Sequence, residues 1–449
     1  MARKILKTEG DVNISEERNL WMQSVITHSE TRELLERDAK VFLHQAMSTP
    51  CIDVLQGCQN AEFTNLQGKS YLDFHGNNVH QVGFANPYVV DRVKSQLDIL
   101  AFSTRRFTNE AAISFAEKLT SLLPSDLNRV LFAPGGTSVI GIALKLARVV
   151  TGKHKVISYW DSFHGASLDA ISAGGEAVFR QYMGPMMPGS LRIPPPINGD
   201  GIFDDEMKSA DYLEYVIEKE GEIGAFIAET IRNTDVQIPS KKYWKRVREI
   251  CDKHNILLIL DEIPIALGRT GKMFVFEHYG IEPDIICLGK GLGGGIIPFA
   301  AMVCRESYNV AQDISLGHYT HEKSPLGCAA AHATIDFIEK EHILDKVEAD
   351  AQWMEAELKK LQQKHPLIGE VRGMGLLWGI DLRNPGNGAP AHVEAEKTMY
   401  ACLRQGLSFK ISQGHVLQLS PALTIRREEL QRAIDILDEA LGSLRLRSG

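Results

Sequence analysis

The sequence predicts an α/β fold: a large domain built on a mostly parallel sheet flanked by helices, with a smaller α+β domain. Two observations lead there. Between residues 105 and 302, short apolar runs alternate with segments whose apolar residues fall at helical spacing, the pattern of strands joined by crossover helices. Two of those runs, 256–260 (ILLIL) and 284–288 (DIICL), are too short for free-standing helices and read as buried parallel strands. After residue 325 the chain turns to long charged helices and strand-like stretches, and these form the smaller domain. A length of 449 residues exceeds what one small core uses and fits this division.

Taken in order, residues 1–60 are polar and helix-prone, an arm with little core of its own. Residues 62–74 (EFTNLQGKSYLDF) read as a hairpin turning at Gln67-Gly68-Lys69. The loop 75–83 (HGNNVHQVG) is bounded by glycines and dense in Asn, His and Gln. Strands are expected at RVLFA (129–133), KVISYW (155–160), GAFIAE (224–229), and in the two runs already named. Val139, Ile142, Ala143, Leu146 and Val149 share one helix face, as do Trp244, Val247, Ile250 and Cys251. Strand-like VRGMGLLWGIDL (371–382) and HVLQLSPALTI (415–425) follow, then a helix carrying Leu430, Ile434, Leu437 and Leu441.

Composition excludes several classes. A net charge of −8 without a long basic run argues against nucleic acid as partner. The opening MARKILKTEGDVNISEERN has no apolar core, and no apolar run approaches the roughly 18 residues of a membrane span. Seven cysteines without C-x-x-C or Cys/His spacing point to reduced thiols, no metal site and a cytoplasmic location.

The chemistry gathers where strands end. The first run delivers Asp261, and the second delivers Lys290 followed by Gly291, Gly293, Gly294 and Gly295. A buried acid facing a lysine on a glycine-rich turn is what pyridoxal 5'-phosphate (PLP) requires: an amine for its aldehyde and a carboxylate for its ring nitrogen. Taken alone, a structural ion pair beside a tight turn accounts for the two residues equally well. Other signals converge on the same sheet edge. APGGTS (133–138) sets Gly135, Gly136 and Thr137 at a helix N-terminus, which favours phosphate. Phe163 follows another strand and offers a ring to stack; Glu229 ends a third and offers a carboxylate to cofactor, substrate or a nearby arginine.

From about Tyr71 to Leu437 the chain resembles the class-III aminotransferases, which are fold-type-I PLP enzymes. The resemblance rests on YLDF (71–74), FAPGGTSVIGIALKLAR (132–148), SFHG (162–165), LILDEIPIALGRTGKMF (258–274), PDIICLGKGLGGG (283–295) and THEKSPLGCAAA (320–331). It implies that Lys290 binds PLP, Asp261 pairs with the ring nitrogen and Phe163 stacks on the ring. Gly136 and Thr137 would hold the phosphate, with Thr320 reaching it across a homodimer interface; a tetramer could be built from that dimer. The implied organisation is an arm and part of the small domain in 1–75, the PLP-binding domain in 76–325 and the small domain in 326–449.

Three departures bear on the reaction. Family transaminases commonly carry an arginine three residues before the proline of a late strand motif, where it clamps an oxo acid's carboxylate. Gln418 aligns with it in VLQLSP (416–421), and a neutral amide cannot replace the charge. Ser138 stands for the usual glutamate after the glycine turn, and Pro264 for the usual glutamine beyond Asp-Glu. Together they favour a one-substrate elimination of ammonia over two-substrate amino transfer. The expected substrate is a small phosphonate amine, with Arg106 and Arg232 as the preferred cationic contacts and Asn77 and Gln418 as polar ones. A class-III ω-aminotransferase is the alternative.

Overall fold

The computed structural model describes residues 15–45, 51–197 and 205–444. The opening motif up to residue 14 lies outside them. Contacts divide the chain into two compact units, one of 86–233 and 237–344, the other of the described residues up to 85, 234–236 and 345 onward.

The larger unit is built on a seven-stranded sheet. From one edge to the other its strands are Leu127–Ala133, Ala300–Arg305, Ile285–Leu288, Leu257–Asp261, Ile223–Glu229, Lys155–Tyr159 and Ser190–Ile193. Only Ala300–Arg305 runs against the others. The expected runs at 256–260 and 284–288 are the adjacent parallel strands Leu257–Asp261 and Ile285–Leu288, buried throughout because both sheet faces are covered. Strands 190–193 and 300–305 carry no strand pattern in the sequence: SLRI is short and mixed, and AAMVCR has a single β-branched residue and no alternation.

Helix Gly136–Thr151 buries Val139, Ile142, Ala143 and Leu146 as their spacing requires, and it ends where Gly152 takes φ 68°. It begins at Gly136, three residues before the apolar face, with Gly135 as its extended N-cap. Helix Lys241–His254 buries Trp244, Val247, Ile250 and Cys251. Its N-cap Ser240 accepts from the Tyr243 N–H at 3.1 Å. Helix Pro325–Lys340, expected with the C-terminal domain, packs on helices Pro87–Ile99 and Glu110–Ser121 and so belongs to the larger unit.

The smaller unit has two four-stranded sheets. One contains the expected hairpin, Glu62–Asn65 with Ser70–Asp73, whose turn is closed by Asn65 Oδ1 accepting from the N–H groups of Gln67 and Lys69. Leu55–Gln59 adds a strand where the sequence suggested helix. Its LQGCQ has only one aliphatic side chain, so periodicity gives no signal. The other sheet runs Ile368–Met374, Leu377–Leu382, Val416–Leu419, Lys410–Ser412. The expected strand over 415–425 stops at Leu419, because Pro421 has no N–H for a ladder. Helix Arg427–Ser443 buries Leu430, Ile434, Leu437 and Leu441. No helix among the described residues is long and apolar enough to cross a membrane.

Candidate active site

Because six of the seven strands run one way, their carboxyl ends share one sheet edge. Gly136, Phe163, Glu229, Asp261 and Lys290 each follow or end one of these strands, the position where open α/β sheets bind ligands.

Lys290 opens the 3-10 turn Lys290–Gly293 directly after its strand, with φ 49°. A long side chain held in the left-handed region is uncommon, and such strain collects at functional sites. Gly289 ahead of it is extended, and a Cβ there would stand 3.2 Å from Ile263 Cγ2. A Cβ on Gly136 would stand 3.0 Å from Ile263 Cδ1. Ile263 therefore fills the space between the lysine turn and the helix start, and glycine at both positions lets the backbones close on it.

The Asp261 carboxylate is oriented on both sides. Its Oδ1 accepts from the Ile263 N–H at 3.1 Å and its Oδ2 accepts from His164 Nδ1 at 2.8 Å. The two side chains are 3% and 0% exposed. With the proton on Nδ1, His164 Nε2 is a buried acceptor that no donor among the described residues reaches. His164 stands within the SFHG motif, but its role depends on a residue 97 positions away, so no local pattern discloses it.

Glu229 is buried and ties two segments to the site: its carboxylate accepts from the Phe163 N–H at 3.2 Å and from the Asn233 N–H at 3.0 Å. Burial raises its pKa. Phe163 is half-buried, with the Phe179 ring 4.6 Å away. Arg232 is buried, 4.0 Å from Glu176, and its charge also faces Glu229. Arg106 is exposed on the turn before helix Glu110–Ser121, so the preferred cationic contacts sit in unlike surroundings.

Helix Gly136–Thr151 starts without any side-chain cap, leaving its first N–H groups to a ligand. Thr137 Oγ1 accepts from the Ala166 N–H at 2.9 Å, so its own proton is free to be donated elsewhere. A Cβ on Gly135 would meet nothing within 4 Å. A glycine-edged, uncapped helix start, an oriented buried carboxylate and a strained lysine on one edge form a donor set that fits PLP. Thr320 is exposed in the turn before helix Pro325–Lys340. In the other unit Asn77 is exposed with φ 47°, and Gln418 is fully buried in strand Val416–Leu419, between Gly379 and Lys410 of its neighbours.

Metal-type groupings look different. Glu214, Glu218 and His254 have ligand atoms within 4.8 Å of one another. Lys253 and Arg246 already pair with Glu214, and the Lys253 hydrogen bond holds its pKa down to about 2.

The sequence profile of the class-III aminotransferases matches residues 45–441. The chain belongs to that family. It is 54% identical over 458 aligned positions to the (R)-1-hydroxy-2-aminoethylphosphonate ammonia-lyase of Vibrio splendidus, covering 98% of this chain and 95% of the relative. It is 33% identical to a leucine/methionine racemase of Thermococcus litoralis, over 92% of this chain and 96% of that one. Among solved structures, a transaminase from the marine bacterium Virgibacillus superposes with TM-score 0.85 at 28% identity, over 91% of this chain and 98% of that one. A PLP-bound amine transaminase from an uncultivated Pseudomonas species gives 0.84 at 27%, over 90% and 98%. The family thus supports several reactions on one fold-type-I scaffold.

Proposed function

We propose that the protein is a PLP-dependent ammonia-lyase that converts (R)-1-hydroxy-2-aminoethylphosphonate to phosphonoacetaldehyde and ammonia. The observation that carries this is the 54% identity with the Vibrio splendidus ammonia-lyase over 98% of the chain. The same chain bears Gln418 where an oxo-acid-clamping arginine would serve a transaminase.

PLP, when bound, supplies an aldehyde that takes up the substrate's amine and a ring that accepts an electron pair. The chain's own residues do the rest. Gly136, at the uncapped helix start, and the Thr137 hydroxyl hold the phosphate. Asp261, fixed by His164, holds a proton at the ring nitrogen. Phe163 packs against the ring face, and Glu229 fixes Phe163 through its N–H. The Lys290 amine takes the proton from the amine-bearing carbon of the substrate. Hydroxide then leaves the neighbouring phosphonate-bearing carbon, and addition of water releases aldehyde and ammonia, so the overall reaction needs no second substrate.

For the phosphonate we propose Arg106 and Arg232, with Asn77 and Gln418 as neutral contacts. Arg232 already shares its charge with Glu176 and Glu229, so Arg106 supplies the larger uncompensated charge. We also propose a homodimer in which Thr320 reaches the neighbour's phosphate. Leu97, Ile99, Phe107 and Ile113 stand 49%, 79%, 69% and 41% exposed along one stretch of the larger unit, an apolar surface that a second copy would cover.

The test is a panel of amines without any oxo acid: both enantiomers of 1-hydroxy-2-aminoethylphosphonate, 2-aminoethylphosphonate and phosphoethanolamine. Equal ammonia and aldehyde from the (R) enantiomer is expected. Turnover of phosphoethanolamine alone would move the assignment to a phosphate ester substrate.

A further inference from the structure

At the far edge of the large sheet, two arginines meet one tryptophan. Trp160 follows strand Lys155–Tyr159 and is 45% exposed. Its backbone N–H donates to the Ile193 carbonyl at 2.8 Å, which fastens the main chain to strand Ser190–Ile193. Arg192 on that edge strand and Arg180 at the end of helix Ala177–Arg180 place their guanidinium carbons 5.6 and 5.5 Å from the indole centre.

Like charges this close repel, and burial adds to the cost of each. Arg192 is held down to about 10 by its burial and then by Arg180; it stays charged at neutral pH. Neither arginine pairs with a carboxylate among the described residues. Their partners are backbone carbonyls: Arg180 Nη2 donates to Gly175 at 2.7 Å, Arg192 Nε to Gly174 at 2.9 Å, and Arg192 Nη2 to Ser172. Each guanidinium has five N–H donors, so these bonds leave several unused. Arg180 Nε is buried with no acceptor.

We propose that Arg180, Arg192 and Trp160 form a second anion site, separate from the Lys290 site, which takes a tetrahedral oxyanion carried by a phosphate or a phosphonate. Two forked donors held by the adjacent carbonyls of Gly174 and Gly175 and both set against one indole ring suit such an oxyanion. The edge strand lies four strand spacings from the Lys290 strand, on the order of 20 Å across the sheet. Thr137 Oγ1 accepts from the N–H of Ala166, whereas the two arginines donate to the carbonyls of Ser172, Gly174 and Gly175, so the two anion sites draw on opposite ends of one segment. The carbonyls that hold the two arginines belong to the segment whose Gly175 N–H donates to Ser162 at 2.8 Å. Occupancy would brace the backbone next to Phe163. The proposal goes beyond the lyase reading and does not depend on it.

The test uses the cofactor-loaded full chain, titrated with inorganic phosphate and, separately, methylphosphonate. Heat of binding and tryptophan fluorescence are followed, and only the part lost in the arginine variants counts as this site. Saturable binding is expected, weakened at least tenfold in Arg180→Gln and in Arg192→Gln and partly regained in Arg180→Lys. Trp160→Phe should lose the fluorescence response and keep the heat. Methylphosphonate binding tenfold tighter than phosphate identifies a phosphonate ligand; equal binding identifies phosphate groups generally, and both outcomes uphold the site. Should the glutamine variants not fold, Arg180→Lys and Arg192→Lys decide, since each keeps the charge and loses the fork. Absence of saturable binding to the natural protein, or unchanged binding in the variants, overturns it.

Discussion

Among the described residues, His164 is the polar side chain that hydrogen-bonds Asp261, and replacing it with alanine removes that bond alone. The hydrogen bond is 2.8 Å long, and the side chains are 0% and 3% exposed, so the bond is made away from bulk water. A buried hydrogen bond to a charged group contributes about 1.5–3 kcal/mol. If that bond is needed while Asp261 holds the ring-nitrogen proton, its loss lowers kcat by about 10- to 150-fold. His164→Asn should restore most of the rate, because an Asn amide can donate from nearly the position of Nδ1. The assay is steady-state ammonia release, with the visible absorbance of the bound cofactor confirming that each variant is loaded. A His164→Ala rate within twofold of the natural protein would refute the reasoning, as would an asparagine variant no better than alanine.

Other consequences follow from single residues. Lys290→Ala should abolish turnover, by at least about 10⁴-fold, while PLP still binds without a covalent link and can be removed by dialysis; measurable turnover in that variant would reassign the base. Asp73 is buried, and burial raises its carboxyl from its ordinary 3.8 to about 7. The folded state then binds the extra proton, so stability from this group is full below pH 4 and is lost as pH rises through 7. Asp73→Asn keeps the acceptor for the His75 N–H and should gain on the order of 2–4 kcal/mol relative to the natural protein between pH 5 and pH 8, read from urea unfolding; a gap that does not widen with pH contradicts the sign. If Thr320 completes a neighbour's phosphate site, sedimentation at assay concentration should find the active species to be at least a dimer, and an active monomer excludes that arrangement.

Much of the site was legible because each key residue follows an apolar run. Asp261, Lys290 and Glu229 sit where continuous hydrophobicity ends, and that boundary marks the carboxyl end of a buried strand. Gly136 and Thr137 stand at a helix start that the apolar spacing beyond them marks, although a glycine turn of this kind is a weak signal by itself. His164 and Glu176 escaped, because their meaning lies in partners distant in sequence. The division of the chain was readable only in part. Residues 234–236 leave the larger unit for the smaller, and three residues carry no compositional signal. The Arg180, Arg192 and Trp160 cluster escaped for the same reason as His164: its members come from two strand ends and a four-residue helix.

This class-III scaffold eliminates ammonia from one substrate without passing an amino group to another. The direct measurement counts turnovers per active site with (R)-1-hydroxy-2-aminoethylphosphonate and no oxo acid present. Many turnovers are predicted, with ammonia equal to aldehyde from the first and no stimulation by 2-oxoglutarate or pyruvate, since Gln418 offers no charge to their carboxylates. Arrest after a single turnover, relieved by an added oxo acid and without free ammonia, would contradict the account.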